Sequence, residues 1–194
     1  MKTEKSDFSR RSFPRLLVLV PHRDARLPMR EWSGALFAAG LPGAWSFPWV
    51  APLAALDRGL SDAELRALAR GLRERSMPGK VVAGPVGLAP LPFTRRGERA
   101  HAFGPSLDIA LPETLFPAAN PGDEGPSLAG PISPGVLGSA LLYGPPPDGL
   151  QDPPPIAFRA AALAIMRFSP LATGGGRGDY SFEWEIGKPY WLPK

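Results

Sequence analysis

Twenty-six of the 194 residues are proline, and their placement limits what this chain can fold into more than any other feature. Proline removes a backbone donor and fixes φ, so it is excluded from helix interiors and from the middle of ordinary sheets. Eleven of the prolines fall between residues 117 and 155, together with many glycines and few charges. That stretch cannot carry a long helix, and it reads as a Pro/Gly-rich connection with room for one short helix near Val136–Leu142. The regular elements must therefore lie on either side of it.

Leu16-Leu17-Val18-Leu19-Val20 is a short apolar run bounded by Pro14 and Pro21, the pattern of a buried central strand. After His22-Arg23-Asp24, Pro28 suits the first turn of a helix, Trp32, Leu36 and Phe37 give it an apolar stripe, and Gly40 closes it. The prolines in Trp45–Leu56 predict an edge strand or a broken one. Ser61 and Glu64 have the spacing of a capping box. Leu65, Leu68, Ala69 and Leu72 follow at helical spacing, with Arg66, Arg70 and Arg73 largely opposite. Residues 80–93 read as a strand cut by Pro85 and Pro90, with residues 103–111 as its partner. Residues 156–168 and 180–184 read as strands around a glycine turn at 173–179, and Trp191-Leu192-Pro193 closes the chain. This order predicts an α+β (mixed α/β) fold with largely antiparallel sheets and flanking helices. The expected organisation is a mobile basic tail over 1–14 and a single α/β domain over 15–194.

Net charge is +4, which bears on association with anions rather than on fold. The excess concentrates in the first fifteen residues and in Arg95-Arg96-Gly97-Glu98-Arg99-Ala100-His101, read as a solvated tail and a solvated loop. Ser9-Arg10-Arg11-Ser12-Phe13 looks like the opening of a twin-arginine export signal. The apolar run behind it is five residues, against roughly 7–15 in a signal, and it stops at Pro21-His22-Arg23-Asp24. The expectation is a cytoplasmic protein with no membrane partner. There is no cysteine, which excludes disulfides, thiolate metal ligands and a cysteine nucleophile.

Candidate chemistry is sparse. His22 and His101 are the only histidines, and no neighbouring Asp, Ser or second His stands at a spacing that builds an acid/base pair. His22 is the better candidate, because it follows a central strand, where α/β sites tend to lie. Arg23 and Arg26 beside it could hold an anion, with plain surface charge the favoured reading. Gly174-Gly175-Gly176-Arg177-Gly178-Asp179 lacks the Lys-Ser/Thr of a phosphate loop and reads as a hairpin. Glu183 and Glu185 alternate on one solvent face, and Asp123-Glu124 lie in the proline-rich stretch. No ligand cluster implies a metal or a cofactor.

Arg15-Leu16-Leu17-Val18-Leu19-Val20-Pro21 resembles the first strand and proline of the 2H phosphoesterase superfamily, which includes the 2'-5' RNA ligase-like proteins. The order of Trp49-Val50-Ala51-Pro52-Leu53-Ala54, Ser61-Asp62-Ala63-Glu64-Leu65 and the closing Tyr180-Ser181-Phe182-Glu183-Trp184 is similar as well. The resemblance implies two lobes around a central cleft. It does not imply the family's chemistry. The first His-x-Thr position falls on Pro52 and Ala54, and the second on Ile132-Ser133-Pro134-Gly135-Val136, and neither supplies a histidine.

What the resemblance implies is a catalytically silent member that binds an RNA end, a nucleotide or a related phosphate ester. His22, Arg23, Trp49 and Arg167 would be the ligand contacts, through phosphate pairing and base stacking. Two alternatives stand beside it: an enzyme of another class using His22 as acid/base, and a protein-interaction module using the proline-rich segment.

Overall fold

The computed structural model describes residues 15–44, 47–56, 61–76, 81–95, 98–107, 128–133, 135–150, 152–153, 156–170 and 182–191. The basic tail, the glycine turn at 173–179, Arg177 and Asp123-Glu124 lie outside them. Among the described residues two antiparallel sheets and two α-helices make an α+β fold. The first sheet runs in the order β10 (Tyr190–Trp191), β8 (Ala160–Pro170), β1 (Arg15–Pro21), β2 (Ala51–Leu56), β5 (Leu128–Pro131), with β9 (Phe182–Ile186) also paired to β8. The second runs β6 (Ala140–Tyr143), β4 (Glu98–Leu107), β3 (Val81–Arg95), β7 (Ala157–Phe158).

β1 is central, as its continuous apolar run predicts, with β2 on one side and β8 on the other. β2 is central too, which the prolines did not suggest. All six of its residues are buried between β1 and β5. A bulge makes this possible: Leu17 faces Ala54 while Val18 faces Pro52, so Leu53 is an extra residue beside the proline. The ladder slips where a donor is missing.

The same device keeps β3 whole. It runs without a break from Val81 to Arg95, and its register against β4 slips between Ala83 and Val86 and again between Pro90 and Thr94. β4 begins at Glu98, earlier than expected, so Arg95 and Glu98–His101 of the basic knot belong to paired strands rather than to a loop, with Arg95 facing Glu98.

The expected short helix near Val136–Leu142 is absent; β6 stands there instead. Leu137 N–H donates to Pro105 O at 2.8 Å, Ser139 N–H to Phe103 O at 2.8 Å and Gly138 N–H to Val50 O at 2.8 Å. These bonds lay the segment flat on β4, and Gly104 permits the approach, since a Cβ there would fall on the Leu137 carbonyl oxygen. The proline-rich stretch therefore feeds a strand to each sheet rather than only connecting them.

The helices stand where they were expected, but Phe37, expected in the apolar stripe of the first, is exposed. In α1 (Arg26–Ala38), Met29, Trp32, Ser33 and Leu36 are buried, Trp32 stacks on Phe103 of β4 at 5.9 Å, and Gly40 follows with φ 91°. In α2 (Asp62–Ser76), Glu64 accepts from the Ser61 N–H at 2.7 Å, completing the capping box, while Leu65 and Ala69 are buried. No described helix is long and apolar enough to cross a membrane.

Candidate functional site

Two places were open to a ligand: the space between the sheets and the end of β1. Between the sheets, alternate residues of β1 and β8 (Leu16, Val18, Ala164, Met166) join Ala89 and Leu91 of β3 and Ala100 and Ala102 of β4 in one buried apolar cluster. Phe47, Val50, Val136 and Leu141 complete it. No charged side chain is buried anywhere among the described residues; Ser33 and Ser139 are the buried polar ones. The β2 bulge adds a second obstacle to phosphoesterase chemistry. Pro52 shares the face of Val18, and Ala54 that of Leu17, so residues 52 and 54 point to opposite sides of the sheet. A histidine and a threonine at these positions would not meet over one phosphate.

The end of β1 is different. Where Pro21 faces Ala160, the chain leaves the sheet: His22 N–H donates to Arg159 O at 2.8 Å, and residues 23–25 form one short 3-10 turn. His22 begins that turn in extended conformation, and Asp24 folds back toward it. The Asp24 Oδ2 lies 2.9 Å from His22 Nδ1, and Arg159 Nη2 stands 3.7 Å from the same oxygen. The Asp24 backbone N–H also donates to Nδ1, at 3.4 Å.

This is the acidic neighbour that sequence spacing alone did not credit to His22. The signal was the adjacent His-Arg-Asp triplet, but only the turn brings the carboxylate round. Arg159 had no local signal at all. It is 137 positions further along and arrives because β8 pairs with β1. Arg23, Arg26 and Arg159 are all exposed, so the corner carries three arginines and one partly exposed histidine against one aspartate. Such exposed ion pairs contribute about 1 kcal/mol or less to stability; their use is in what they attract.

The remaining candidates lie elsewhere. Trp49 is packed against the core, and its indole N–H donates to the buried Ser33 hydroxyl of α1 at 2.9 Å, tying the approach to β2 to the helix. Arg167 faces Arg15 on β1 and Glu185 on β9, at the opposite end of the β1–β8 ladder from His22. Six residue steps of strand separate those ends, about 20 Å. His22 and Arg23 are thus brought together, while Arg167 cannot join them on a small ligand. His101 is no loop residue: it sits within β4 opposite Pro90 and Leu142, and its Nδ1 is buried without a hydrogen-bond partner among the described residues.

Among the described residues no group of three His, Cys, Asp or Glu is placed to hold a metal ion. Comparison of the chain with family models, with curated proteins and with solved structures finds no match.

Proposed function

We propose that this chain is a catalytically silent 2H phosphoesterase-like protein that binds a phosphate ester, such as an RNA end or a nucleotide, at the His22 corner. The observation that carries the reading is the gathering of His22, Arg23, Arg26 and Arg159 where β1 ends, with Asp24 holding the imidazole. Arginine guanidinium pairs with phosphate oxygens through two parallel donors, which a single point charge does not match. The silence of the site is supported by Pro52 and Ala54, which have no acid/base group and point to opposite faces. The space between the sheets, filled by apolar side chains, favours the corner over the interior as the place of contact.

The test is a titration of a labelled short RNA at two salt concentrations, with turnover of a 2',3'-cyclic nucleotide measured alongside. Affinity falls with salt, because phosphate contacts release counterions. Arg23→Ala weakens binding several-fold and lowers the salt slope by roughly one. Arg167→Ala, about 20 Å away, leaves both unchanged. Equal loss from the two substitutions removes the corner from the reading. Cyclic-nucleotide turnover that survives repurification and is lost in His22→Gln makes His22 an acid/base and replaces binding with catalysis.

A further inference from the structure

Trp191 is the most exposed large apolar side chain among the described residues, at 71%. A lone apolar residue on a surface is ordinary, so its exposure carries weight only through its position. It belongs to β10, where Tyr190 faces Leu163 and is buried in the core, while Trp191 faces Ala162 and turns to the opposite side of the sheet. Tyr190 anchors the strand. Ala162, with a single methyl group, does not rise to cover the indole.

The register places this ring beside the His22 corner. Ala162 is paired on its other side with Val20 of β1, two residues before His22, and the His22 N–H bonds to Arg159 just before β8 begins. Two strand spacings and two residue steps separate the Trp191 and His22 backbones, about 12 Å. Indole and guanidinium side chains each reach several ångströms, which leaves about the span of one nucleotide between them. The other exposed tryptophan among the described residues, Trp184, faces Phe168, six residues further along β8 than Ala162 and about 20 Å away. Trp49, expected to stack on a base, is half-buried and bonded to Ser33.

The two neighbours match the two ends of a nucleotide. Arginine guanidinium takes the phosphate, but an aromatic face adds nothing for a phosphate alone. It does suit a base, since every base has a π-face that stacks on such a ring. We infer that Trp191 is the base-stacking platform of the His22 corner, so that the ligand is a nucleoside phosphate, its phosphate on Arg23, Arg26 and Arg159 and its base on the indole. This rests on the phosphate-ester reading above and narrows it: esters without a base are poor ligands.

The test compares adenosine 5'-monophosphate with ribose 5-phosphate, which has the same phosphate and sugar and no base, by titration of the full chain. The nucleotide binds about tenfold more tightly, toward the low end of what one stacked base contributes. Trp191→Ala removes that advantage and leaves ribose 5-phosphate binding unchanged, whereas Trp184→Ala keeps it. Trp191→Phe, which retains an aromatic ring, keeps most of the advantage while the quenching of tryptophan emission by bound nucleotide is lost. Arg23→Ala weakens both ligands by the same factor. A 5'-phosphorylated short RNA is titrated in parallel: binding tighter than the mononucleotide through the same Trp191 identifies an RNA end, and binding no tighter identifies a free nucleotide. Equal affinity for the two small ligands, both dependent on Arg23, overturns the stacking and leaves the phosphate-ester reading standing. A nucleotide advantage that survives Trp191→Ala overturns it too. So does a Trp191→Ala chain whose self-association changes while neither affinity does, which gives the ring to a second copy instead. Binding of neither ligand to the unsubstituted chain takes away the site itself. Should Trp191→Ala fail to fold, the emission decides: quenching unchanged in Trp191→Phe refutes the platform.

Discussion

The interior between the sheets and the corner at the end of β1 are built from opposite materials. The interior uses Ala89, Ala100, Ala102 and Ala164 to let two sheets approach, with Leu16, Val18, Leu91 and Met166 filling what remains. The corner is exposed and charged, tied to the residue before β8 by the His22–Arg159 backbone bond, with the turn closed by Ala25 N–H donating to His22 O and a few side-chain contacts around Asp24. Both lie on β1, only a few residues apart. Alternation along the strand buries Leu16 and Val18, and the strand's end releases His22. Among the described residues one strand thus serves both: its alternate side chains fill the apolar space between the sheets, and its end sets exposed charge at the surface.

The most direct way to break this contrast is to place a charge between the sheets. Ala164 and Ala102 are fully buried. An aspartate at Ala164 would have neither water nor a charged partner among the buried residues, at a cost of several kcal/mol. Ala164→Asp is therefore expected to unfold the domain or to lower its melting temperature drastically. Arg167→Asp, three positions further along β8 but exposed, should barely move it. A melting curve for Ala164→Asp close to that of the unsubstituted chain would mean that water reaches this face and that the interior is open to ligands.

How much of this was legible beforehand follows the same division. The apolar run of β1, the Ser61–Glu64 cap and the Leu65–Ala69 stripe are local signals, and each stands where the sequence put it. Proline was the misleading signal. Pro52, Pro85 and Pro90 looked like strand breakers, yet they lie in a central strand and in the long β3, because bulges and slipped registers absorb the missing donors. Residues 135–143 could not be placed from sequence, since their order comes from bonds to β4 and Val50 rather than from their own periodicity. The corner was half legible: His22 and Arg23 are adjacent in sequence, whereas Arg159 depends wholly on long-range pairing. Trp49 was read as a stacking surface because aromatic residues suit both roles, and only the Ser33 hydroxyl on α1 distinguishes them.

Trp49 also sharpens the comparison, with a smaller effect. Trp49→Phe keeps most of the apolar contact, removes the indole N–H and leaves the Ser33 hydroxyl buried without this donor. The expected cost is about 1 kcal/mol, the ordinary worth of such a bond, seen in urea unfolding. Binding of short RNA at the corner should not change. The opposite result, unchanged stability with weakened binding, would return Trp49 to the ligand surface and extend the corner toward β2.

The smallest effect concerns the one buried hydroxyl that the packing rule does not cover. Tyr190 faces Leu163 on the outer side of the first sheet, beside the start of α2, and its hydroxyl is buried with no partner at full hydrogen-bonding geometry among the described residues. The nearby Asp62 carboxylate draws on the phenolic proton through hydrogen bonding, burial adds to this, and the carboxylate charge adds again, so the pKa rises above 10.0 while Arg66 pulls it down. The sign of the pH effect follows. The folded chain holds this proton where the unfolded chain has released it. Its contribution to stability is therefore complete below the unfolded value and is lost as the pH climbs through the folded one. An ultraviolet titration of the protein minus that of Tyr190→Phe should show a phenol ionising later than free tyrosine. Asp62→Asn should bring it down, since the carboxylate is the largest cause. A phenol that ionises at the ordinary value and ignores Asp62 would show that water, not the carboxylate, reaches the hydroxyl, and that the outer face of this sheet is looser than its inner one.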